Sequence, residues 1–275
     1  MLSAFAKSLK LKNKKLKIAA SVIASVLILV SVVFAVFTLS EKKTLKQAKL
    51  AQLNLPEGFT VTAHAGALNT EPNTMDSITK SLEFIGEGVI EVDVRFTSSG
   101  KPVLSHNEVK SDGNEYVSLE EFFSVLKEYP ARVNLDLKEF SNLPVIQELA
   151  EKNDVMDQVF FTGVFEEEAQ NVKTSCPDIP YYLNVYPNPL RIKNDSYLES
   201  ISKTITDCGA IGININYRLV SEEMISKMHE KNLLVSLWTV DNEDDMYIAL
   251  AEAPDNITTR NPDILKDIIQ KQSNK

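Results

Sequence analysis

The stretches VTAHAGALNTEPNT at residues 61–74 and GVIEVDVRFTSSGKPVLSHN at residues 88–107 decide how this chain folds. In the first stretch, His64 ends a short apolar run that has the composition of a β-strand. In the second, Glu91 and Asp93 are two residues apart in a run of β-branched residues, so both point to one face of a strand. Two predicted strands therefore carry ionisable side chains where a buried strand normally carries apolar ones.

Apolar runs and amphipathic segments alternate along the rest of the chain. This alternation is typical of an α/β fold in which parallel strands and helices form a (β/α)8 barrel. Ser118 and Ser221 each precede acidic residues and an amphipathic segment, which indicates a helix start. The predicted strands are 60–64, 88–95, 131–137, 158–162, 180–184, 211–216, 233–239 and 255–259, and the predicted helices include 118–128, 144–152, 221–231 and 242–252.

The predicted strand ends bring chemically active side chains together. In (β/α)8 enzymes the catalytic groups come from the C-terminal ends of the strands. His106 follows a further short apolar run, 102–105, so two of the three histidines of the chain flank the carboxylate pair. Two imidazoles beside a carboxylate-bound cation suit the proton transfers of phosphodiester hydrolysis. The other such side chains near predicted strand ends are Asp136, Lys138, Trp238 and Thr259.

The motifs of the chain resemble those of the glycerophosphodiester phosphodiesterase family, which belongs to a superfamily of phospholipase C-like barrels. The resemblance spans about residues 60 to 265 and implies a (β/α)8 barrel. The matching segments are His64-Ala65-Gly66, Glu71-Pro72-Asn73-Thr74, Glu91-Val92-Asp93-Val94, Thr97 to Gly100, His106-Asn107, Asn134-Leu135-Asp136-Leu137-Lys138, Trp238-Thr239-Val240 and Thr258 to Pro262.

This resemblance implies a metal-dependent enzyme that hydrolyses a glycerophosphodiester to an alcohol and a glycerol phosphate. His64 and His106 are expected to be catalytic. One takes the proton of the attacking hydroxyl and the other protonates the leaving alkoxide. In related enzymes the glycerol hydroxyl next to the phosphate is thought to attack first, which gives a cyclic intermediate and needs no protein nucleophile.

Three carboxylates are the candidate metal ligands. Glu91 and Asp93 share a strand face, and Asp136 comes from a later predicted strand. Like-charged carboxylates on an apolar strand repel each other, and a shared divalent cation offsets that repulsion. Hard oxygen ligands favour Ca²⁺ or Mg²⁺. We therefore expect one divalent cation, with acidic groups on an outer surface as the alternative.

Three further side chains are candidate substrate-binding residues. Lys138 lies two residues after Asp136 on the same strand face, where it either contacts the phosphate or forms a salt bridge with a carboxylate. Trp238, the only tryptophan, either forms a wall for a glycerol or lipid moiety or packs the top of the barrel. Asn73 is expected to orient the loop after His64. His229 lies on a polar helix face and is expected to be structural.

The chain departs from the family pattern at several positions. Ala65 stands where the family has a phosphate-binding Arg, so Arg95 and Arg260 are candidates for that role. Asp136 replaces a Glu. These changes leave two alternatives open. One is a phospholipase D-like enzyme acting on lysophospholipids or sphingolipids, and the other is a non-catalytic binding barrel.

The N-terminal region has the pattern of a membrane anchor. Residues 1–17 contain six lysines and no acidic residue, and 18–39 are uncharged and mainly apolar. At about 1.5 Å per residue this segment spans about 33 Å, enough to cross a bilayer. A cleaved signal peptide is the alternative. The predicted division is a basic cytoplasmic tail (1–17), a transmembrane signal anchor (18–39), a stalk (40–58) and a barrel (59–275).

Charge and topology together indicate the surroundings of the barrel. The basic flank favours a single-pass protein of the cell membrane with an extracytoplasmic catalytic domain. Ten of the 29 basic residues and one of the 38 acidic residues precede residue 50, so the remainder has a net charge of −18. Such a surface repels nucleic acid, and we expect a small-molecule or lipid-derived phosphodiester as the partner. Cys176 and Cys208 are compatible with a disulfide or with two thiols.

Overall fold

A computed structural model describes residues 23, 26–27, 29–34, 38–112 and 115–273 of the chain. Two compact units divide at residue 50. In the first, residues 38–50 are helical and form α1. The predicted tail 1–17 lies outside the described residues, as does about half of the predicted anchor 18–39. Among the described residues, no helix has both the length and the apolar character to cross a membrane.

The second unit, which starts at residue 51, is a closed (β/α)8 barrel. Its eight parallel strands follow the order β1-β2-β4-β5-β6-β7-β8-β9, and β9 pairs with β1 to close the sheet. This confirms the predicted barrel and all eight predicted strands to within about two residues. The strands are β1 (Thr60–Ala63), β2 (Val89–Phe96), β4 (Arg132–Leu137), β5 (Val159–Val164), β6 (Tyr181–Val185), β7 (Gly212–Asn216), β8 (Leu234–Trp238) and β9 (Asn256–Thr259).

The apolar run before His106 forms a ninth strand outside the barrel order. This strand, β3 (Pro102–Leu104), pairs antiparallel with the end of β2, with Val94 opposite Leu104. Because β2 continues beyond the barrel rim into this hairpin, Asp93 lies within the strand rather than at its end. The hairpin returns the chain so that His106 comes back to the rim of the barrel.

Amphipathic helices cover the outside of the sheet. Ser118 and Ser221 accept hydrogen bonds from the backbone N–H groups of Glu121 and Met224, so both predicted helix starts are confirmed. The helices after α1 are α2 (Met75–Ile85), α3 (Leu119–Leu126), α4 (Pro144–Lys152), α5 (Glu166–Ser175), α6 (Asp195–Cys208), α7 (Glu222–Glu230), α8 (Glu243–Ala251) and α9 (Pro262–Ser273).

The apolar core lies between the strands and these helices. Phe122 and Phe123 of α3 are fully buried, and their rings are 5.7 Å apart. Leu135 of β4 is also fully buried. Apolar side chains thus fill the layer between sheet and helices, while polar side chains occupy the inner face of the barrel near its C-terminal rim. Cys176 and Cys208 are both free thiols.

Candidate active site

A cavity of about 390 Å³ opens at the C-terminal ends of the barrel strands. The sequence-predicted residues His64, His106, Lys138 and Trp238 and all three predicted metal carboxylates line it, whereas Asn73 does not. Its further lining residues are Asn134, Leu137, Thr162, Gly163, Phe165, Asn184, Tyr186, Asn214, Thr239, Thr258 and Arg260. One cavity therefore contains two imidazoles, an acidic cluster and a lysine.

The three carboxylates come from two neighbouring parallel strands. In the pairing of β2 with β4, Asp93 is directly opposite Asp136, and Glu91 is one inward-facing position earlier on β2. One oxygen from each carboxylate lies within 4.8 Å of the other two. Glu91 and Asp93 are 5% and 2% exposed, so water screens their charges weakly. Strand alternation, inferred from the sequence, is what aims all three into the barrel.

Glu91 is the most perturbed acid of this cluster. Burial raises its pKa to about 7, the neighbouring imidazole of His64 opposes the rise, and the carboxylates of Asp93 and Asp136 add to it. Its Oε2 accepts the backbone N–H of Ala65 at 2.7 Å. This single backbone donor does not compensate for the loss of water and the nearby negative charge.

Lys138 supplies the positive charge nearest to the cluster. Its Nζ lies 2.9 Å from Oδ1 of Asp93 and also hydrogen-bonds Oδ2 of Asp136. The two carboxylates hold the pKa of Lys138 above its usual value despite partial burial. One ammonium faces three clustered carboxylates. The three carboxylate oxygens are hard ligands and lie close enough together to bind the same ion. The residues present therefore fit a divalent cation.

Asn73 contacts the site through Asp93 rather than through the cavity. Its Nδ2 donates to Oδ2 of Asp93 at 2.7 Å, and its Oδ1 accepts the backbone N–H of Asp93 at 3.0 Å. The residue has a φ of 58°, in the left-handed region that Asn tolerates better than most residues. Asn73 therefore fixes the rotamer of Asp93, a candidate metal ligand. The sequence had predicted only that Asn73 orients the loop after His64.

Thr162 and Gly163 of β5 hold Asp136 from the other side. The hydroxyl of Thr162 lies 3.2 Å from Oδ1 of Asp136 and 2.9 Å from Oδ1 of Asn134. At Gly163, which has a φ of 77°, a Cβ would lie 2.6 Å from Oδ1 of Asp136 and 2.3 Å from the carbonyl of Leu137. Only glycine permits this close approach, so Gly163 sets the position of the third carboxylate.

The two histidines flank Glu91 and Asp93 in the sequence and line the same cavity. Nδ1 of His64 is 3.0 Å from the carbonyl oxygen of Ala65 and 3.7 Å from Oε2 of Glu91. A proton on Nδ1 donated to that carbonyl leaves Nε2 with a free lone pair. His106 is exposed at the rim, and its carbonyl accepts Nε of Arg95 at 3.1 Å.

The two arginines suggested as replacements for the family Arg occupy different environments. Arg95 pairs with Glu139 at 2.6 Å and does not line the cavity. Arg260 lines the cavity, and its guanidinium lies 2.7 Å from Asp241. Of the two, only Arg260 is placed where a phosphate could meet it. Ala65 itself is buried, and its backbone rather than its side chain contacts the cluster.

An aromatic wall forms the opposite side of the cavity. Trp238 meets Tyr186 edge-on, with ring centroids 6.4 Å apart and planes at 86°. Tyr186 in turn stacks on Phe165 at 5.8 Å and 18°. The indole N–H of Trp238 is buried and has no hydrogen-bond partner within the described part of the chain.

Several lining residues were not predicted from the sequence. Thr162, Asn184 and Asn214 are polar residues on neighbouring strands, and Oδ1 of Asn184 accepts both the backbone N–H of Gly163 and Nδ2 of Asn214. The available signal was a polar residue at an inward position of otherwise apolar strands. Phe165 and Tyr186 follow the ends of β5 and β6, and neither carries a motif that distinguishes it from core aromatics.

One family model matches more than half of the chain. The model of the glycerophosphoryl diester phosphodiesterase family matches residues 107–264. The matched region contains Asp136 and Lys138 and begins after the two histidines and the β2 carboxylates, which the structure brings to the same cavity. No curated protein sequence matches the chain.

Solved structures share the barrel. A Galdieria sulphuraria protein has 22% identity and a TM-score of 0.65 over 80% of this chain and 100% of its own. A glycerophosphodiester phosphodiesterase from Parabacteroides distasonis has 14% identity and a TM-score of 0.63, covering 81% and 100%. An Oleispira antarctica phosphodiesterase, solved with the product sn-glycerol-3-phosphate, has 19% identity and a TM-score of 0.63, covering 78% and 97%. At these identities the likeness shows a common fold.

Proposed function

The chain belongs to the glycerophosphoryl diester phosphodiesterase family, and we propose that it cleaves glycerophosphodiesters by two-histidine acid/base catalysis in the barrel cavity. One observation supports this proposal above the others: His64 and His106 line the same cavity as three clustered carboxylates. The products are an alcohol and a glycerol phosphate. The product bound to the Oleispira antarctica phosphodiesterase supports this assignment by analogy.

Glu91, Asp93 and Asp136 are the proposed ligands of one divalent cation, Ca²⁺ or Mg²⁺. When bound, such a cation neutralises phosphate charge and polarises the phosphoryl oxygen. The carboxylates of Glu91 and Asp93 are held by the backbone N–H of Ala65 and the amide of Asn73, so their oxygens are oriented before any ligand arrives. We propose a positioning role for Asn73 in place of direct substrate contact.

The proposed proton transfers use the free nitrogens of the two imidazoles. The carbonyl of Ala65 holds Nδ1 of His64, so Nε2 of His64 is the atom that exchanges a proton with the substrate. His106 lines the same cavity from its exposed rim, and we assign the second proton transfer to it. Between them, one imidazole removes the proton of the attacking hydroxyl and the other supplies a proton to the departing alkoxide.

Lys138 and Arg260 are the proposed phosphate contacts. Both line the cavity. Lys138 is held by Asp93 and Asp136, and Arg260 is held by Asp241. A substrate phosphate offers Lys138 an alternative anion at short range. Trp238 forms part of the cavity wall, where we propose that its ring contacts the organic arm of the substrate.

The test of this function is hydrolysis by the full chain in detergent with Ca²⁺, with Mg²⁺ and with EDTA. The substrates are glycerophosphocholine, glycerophosphoethanolamine, glycerophosphoglycerol and lysophosphatidylcholine. We expect cation-dependent cleavage that falls at least about a hundredfold in His64→Ala and His106→Ala, as removal of a general acid or base does. His229→Ala is the matched control, because His229 pairs with Asp255 at 2.9 Å and does not line the cavity.

Two results would count against this function. Cleavage that persists in EDTA removes the role of the cation, and full activity in both cavity-histidine variants removes the acid/base role. Cleavage of lysophosphatidylcholine alone supports the phospholipase D-like alternative. Cation binding without cleavage of any diester supports the non-catalytic barrel.

We further propose that residues 18–39 anchor the chain in the cell membrane and that the barrel is extracytoplasmic. The length and apolar character of this segment and the six lysines before it support the proposal. The full chain is then expected to remain with membranes after alkaline carbonate washing, and protease added outside intact cells should digest the barrel. Release by carbonate, or protection from external protease, contradicts the proposal.

A further inference from the structure

The imidazole of His106 is exposed at the rim of the cavity. Its ring forms no hydrogen bond or ion pair with any other described residue. The ring of His64, in contrast, is held by the carbonyl oxygen of Ala65 at 3.0 Å. The direction in which His106 points therefore depends on the backbone that carries it.

Hydrogen bonds fix that backbone on both sides of His106. The backbone N–H of Ser105 donates to the carbonyl of Asp93 at 3.0 Å, and the hydroxyl of Ser105 donates to the carbonyl of Asn107 at 2.8 Å. At His106 itself, the carbonyl accepts Nε of Arg95 at 3.1 Å. The contact at the imidazole-bearing residue is thus made by a side chain.

Arg95 is held in turn by Glu139. Nη1 of Arg95 lies 2.6 Å from Oε1 of Glu139, and Oε2 of Glu139 accepts the backbone N–H of Phe96 at 3.4 Å. The two side chains are only 21% and 30% exposed, so water screens this ion pair less than a pair on the open surface. The planar guanidinium donates in two directions at once, to the carboxylate and to the carbonyl of His106.

This chain of contacts connects two parts of the site. Glu139 directly follows β4 and Lys138, and β4 carries Asp136. His106 follows β3, on the hairpin that extends β2 beyond the barrel rim. The contacts from Glu139 through Arg95 to His106 therefore fix the hairpin relative to the strand that carries a candidate cation ligand and a candidate phosphate contact.

We propose that Arg95 and Glu139 are positioning residues that hold His106 at its working distance from the phosphate. The inference rests on the proposed function, since it explains how one of its two imidazoles is oriented. It assigns Arg95 a role different from direct phosphate binding, because the guanidinium is already engaged by two oxygen acceptors and does not line the cavity.

The kinetic test is hydrolysis of glycerophosphoglycerol by the full chain in detergent at saturating cation. Arg95→Met is expected to lower kcat at least about tenfold, because small misplacements of an acid or base are costly, and to leave KM within about twofold. A raised KM with an unchanged kcat overturns the proposal, since that result is the signature of direct substrate binding.

A second variant tests the carboxylate with almost no change of shape. Glu139→Gln is expected to lower kcat by about threefold, because a charge-assisted bond to Arg95 becomes a neutral one. It also tests the same contact if Arg95→Met does not fold. Added to Arg95→Met, it should cause no further loss. An unchanged kcat in Glu139→Gln overturns the role of Glu139.

Two further variants separate positioning from general damage to the barrel. In a His106→Ala background, Arg95→Met is expected to lower the residual rate by less than about twofold, because residues that act as one unit are not additive. Arg218→Met is the matched control, since Arg218 follows β7 at the same rim, pairs with Asp245 at 3.6 Å and does not line the cavity. A full loss in the His106→Ala background, or an equal loss in Arg218→Met, overturns the proposal.

A spectroscopic measurement separates this inference from the proposed function. The chain has three histidines, so labelling histidine with ¹³C at the carbonyl gives three signals, which single histidine variants assign. The carbonyls of His64 and His229 accept backbone N–H groups, which Arg95→Met leaves in place. Only the signal of His106 is expected to move, upfield, as its hydrogen bond is lost.

The two measurements together give distinct outcomes. If the His106 signal moves but no diester is cleaved by the wild type, the proposed function fails and the contact of Arg95 with His106 stands. If diesters are cleaved but Arg95→Met leaves the His106 signal and kcat unchanged, the positioning role fails and the proposed function stands.

Discussion

Asn73 holds Asp93 by two hydrogen bonds. Nδ2 of Asn73 donates to Oδ2 of Asp93 at 2.7 Å, and the backbone N–H of Asp93 donates to Oδ1 of Asn73 at 3.0 Å. Groups that orient a metal ligand commonly change metal affinity by about ten- to a hundredfold when they are removed. Asn73→Ala is therefore expected to weaken Ca²⁺ or Mg²⁺ binding by at least about tenfold, measured by calorimetric titration of the full chain.

The control for this variant is a second asparagine whose backbone is equally strained. Asn232 has a φ of 56°, close to the 58° of Asn73, and it precedes β8 at the other end of the barrel. Asn232→Ala meets the same left-handed strain but contacts no carboxylate of the cluster. Equal losses of cation affinity in the two variants would show that strain, and not the contact with Asp93, is responsible.

Gly163→Ala is expected to destabilise the barrel and to displace Asp136. Its Cβ would lie 2.3 Å from the carbonyl of Leu137 and 2.6 Å from Oδ1 of Asp136. Such overpacking costs about 1–3 kcal/mol in addition to the strain of a left-handed alanine. Urea unfolding should show this loss in the free energy of unfolding, and cation affinity should fall with it.

Gly209→Ala is the matched variant for this experiment. Gly209 has a φ of 79°, but its added Cβ would meet only the flexible end of Lys173, at 3.2 Å from Nζ. We expect it to lose about 1–2 kcal/mol from backbone strain and to bind the cation normally. Equal losses of free energy of unfolding and equal cation affinities in the two alanine variants would contradict the positioning role of Gly163.

The raised pKa of Glu91 predicts a pH-dependent stability in the metal-free protein. Burial raises this pKa from 4.5 to about 7, so the unfolded chain releases the proton at lower pH than the folded barrel does. Glu91 therefore lowers the free energy of unfolding progressively between pH 4.5 and 7, by up to about 3 kcal/mol.

Comparison with Glu91→Gln isolates this contribution from all other titrating groups. In EDTA the two proteins should have similar stability near pH 4.5, and the Gln variant should be the more stable one at pH 8. Added Ca²⁺ or Mg²⁺ should reverse the order at pH 8, because only the carboxylate binds the cation well. A difference between the two proteins that is independent of pH contradicts the raised pKa of Glu91.

The two thiols are expected to react at different rates. Burial raises the pKa of Cys176 to about 11, and its Sγ contacts the carbonyl of Leu143 at 3.2 Å. Cys208 is only half-buried, and its pKa is raised to a lesser degree. Because the thiolate is the nucleophile, Ellman's reagent at pH 8 should modify Cys208 at least about tenfold faster. Cys176→Ser and Cys208→Ser assign the two phases, and equal rates would contradict the burial of Cys176.

Much of the fold was predictable because the physical signals are local. Strand alternation and helix periodicity are properties of short windows, and they located all eight barrel strands and the helix starts at Ser118 and Ser221. The same alternation placed Glu91 and Asp93 on one face. Three predicted carboxylates therefore lie together for a reason that was visible in the sequence.

The rest of the site depends on contacts between distant segments. Asn73 reaches Asp93 across 20 positions, and Thr162 reaches Asp136 across 26. Side-chain pairs of this kind follow from barrel closure and the exact register of neighbouring strands, which periodicity does not fix. Gly163 is a further case, because its role arises from the oxygen atoms that surround it and not from its own segment.

The most direct test of the central claim is a parallel titration of cation binding and hydrolysis in the full chain. Ca²⁺ and Mg²⁺ are titrated calorimetrically, and cleavage of glycerophosphoglycerol is measured over the same concentrations for the wild type and Asp136→Asn. We expect one cation per chain and activity that rises in proportion to occupancy. In Asp136→Asn, we expect both curves to shift together to higher concentration. Full hydrolysis in EDTA, or an Asp136→Asn variant with unchanged binding and activity, would contradict the central claim.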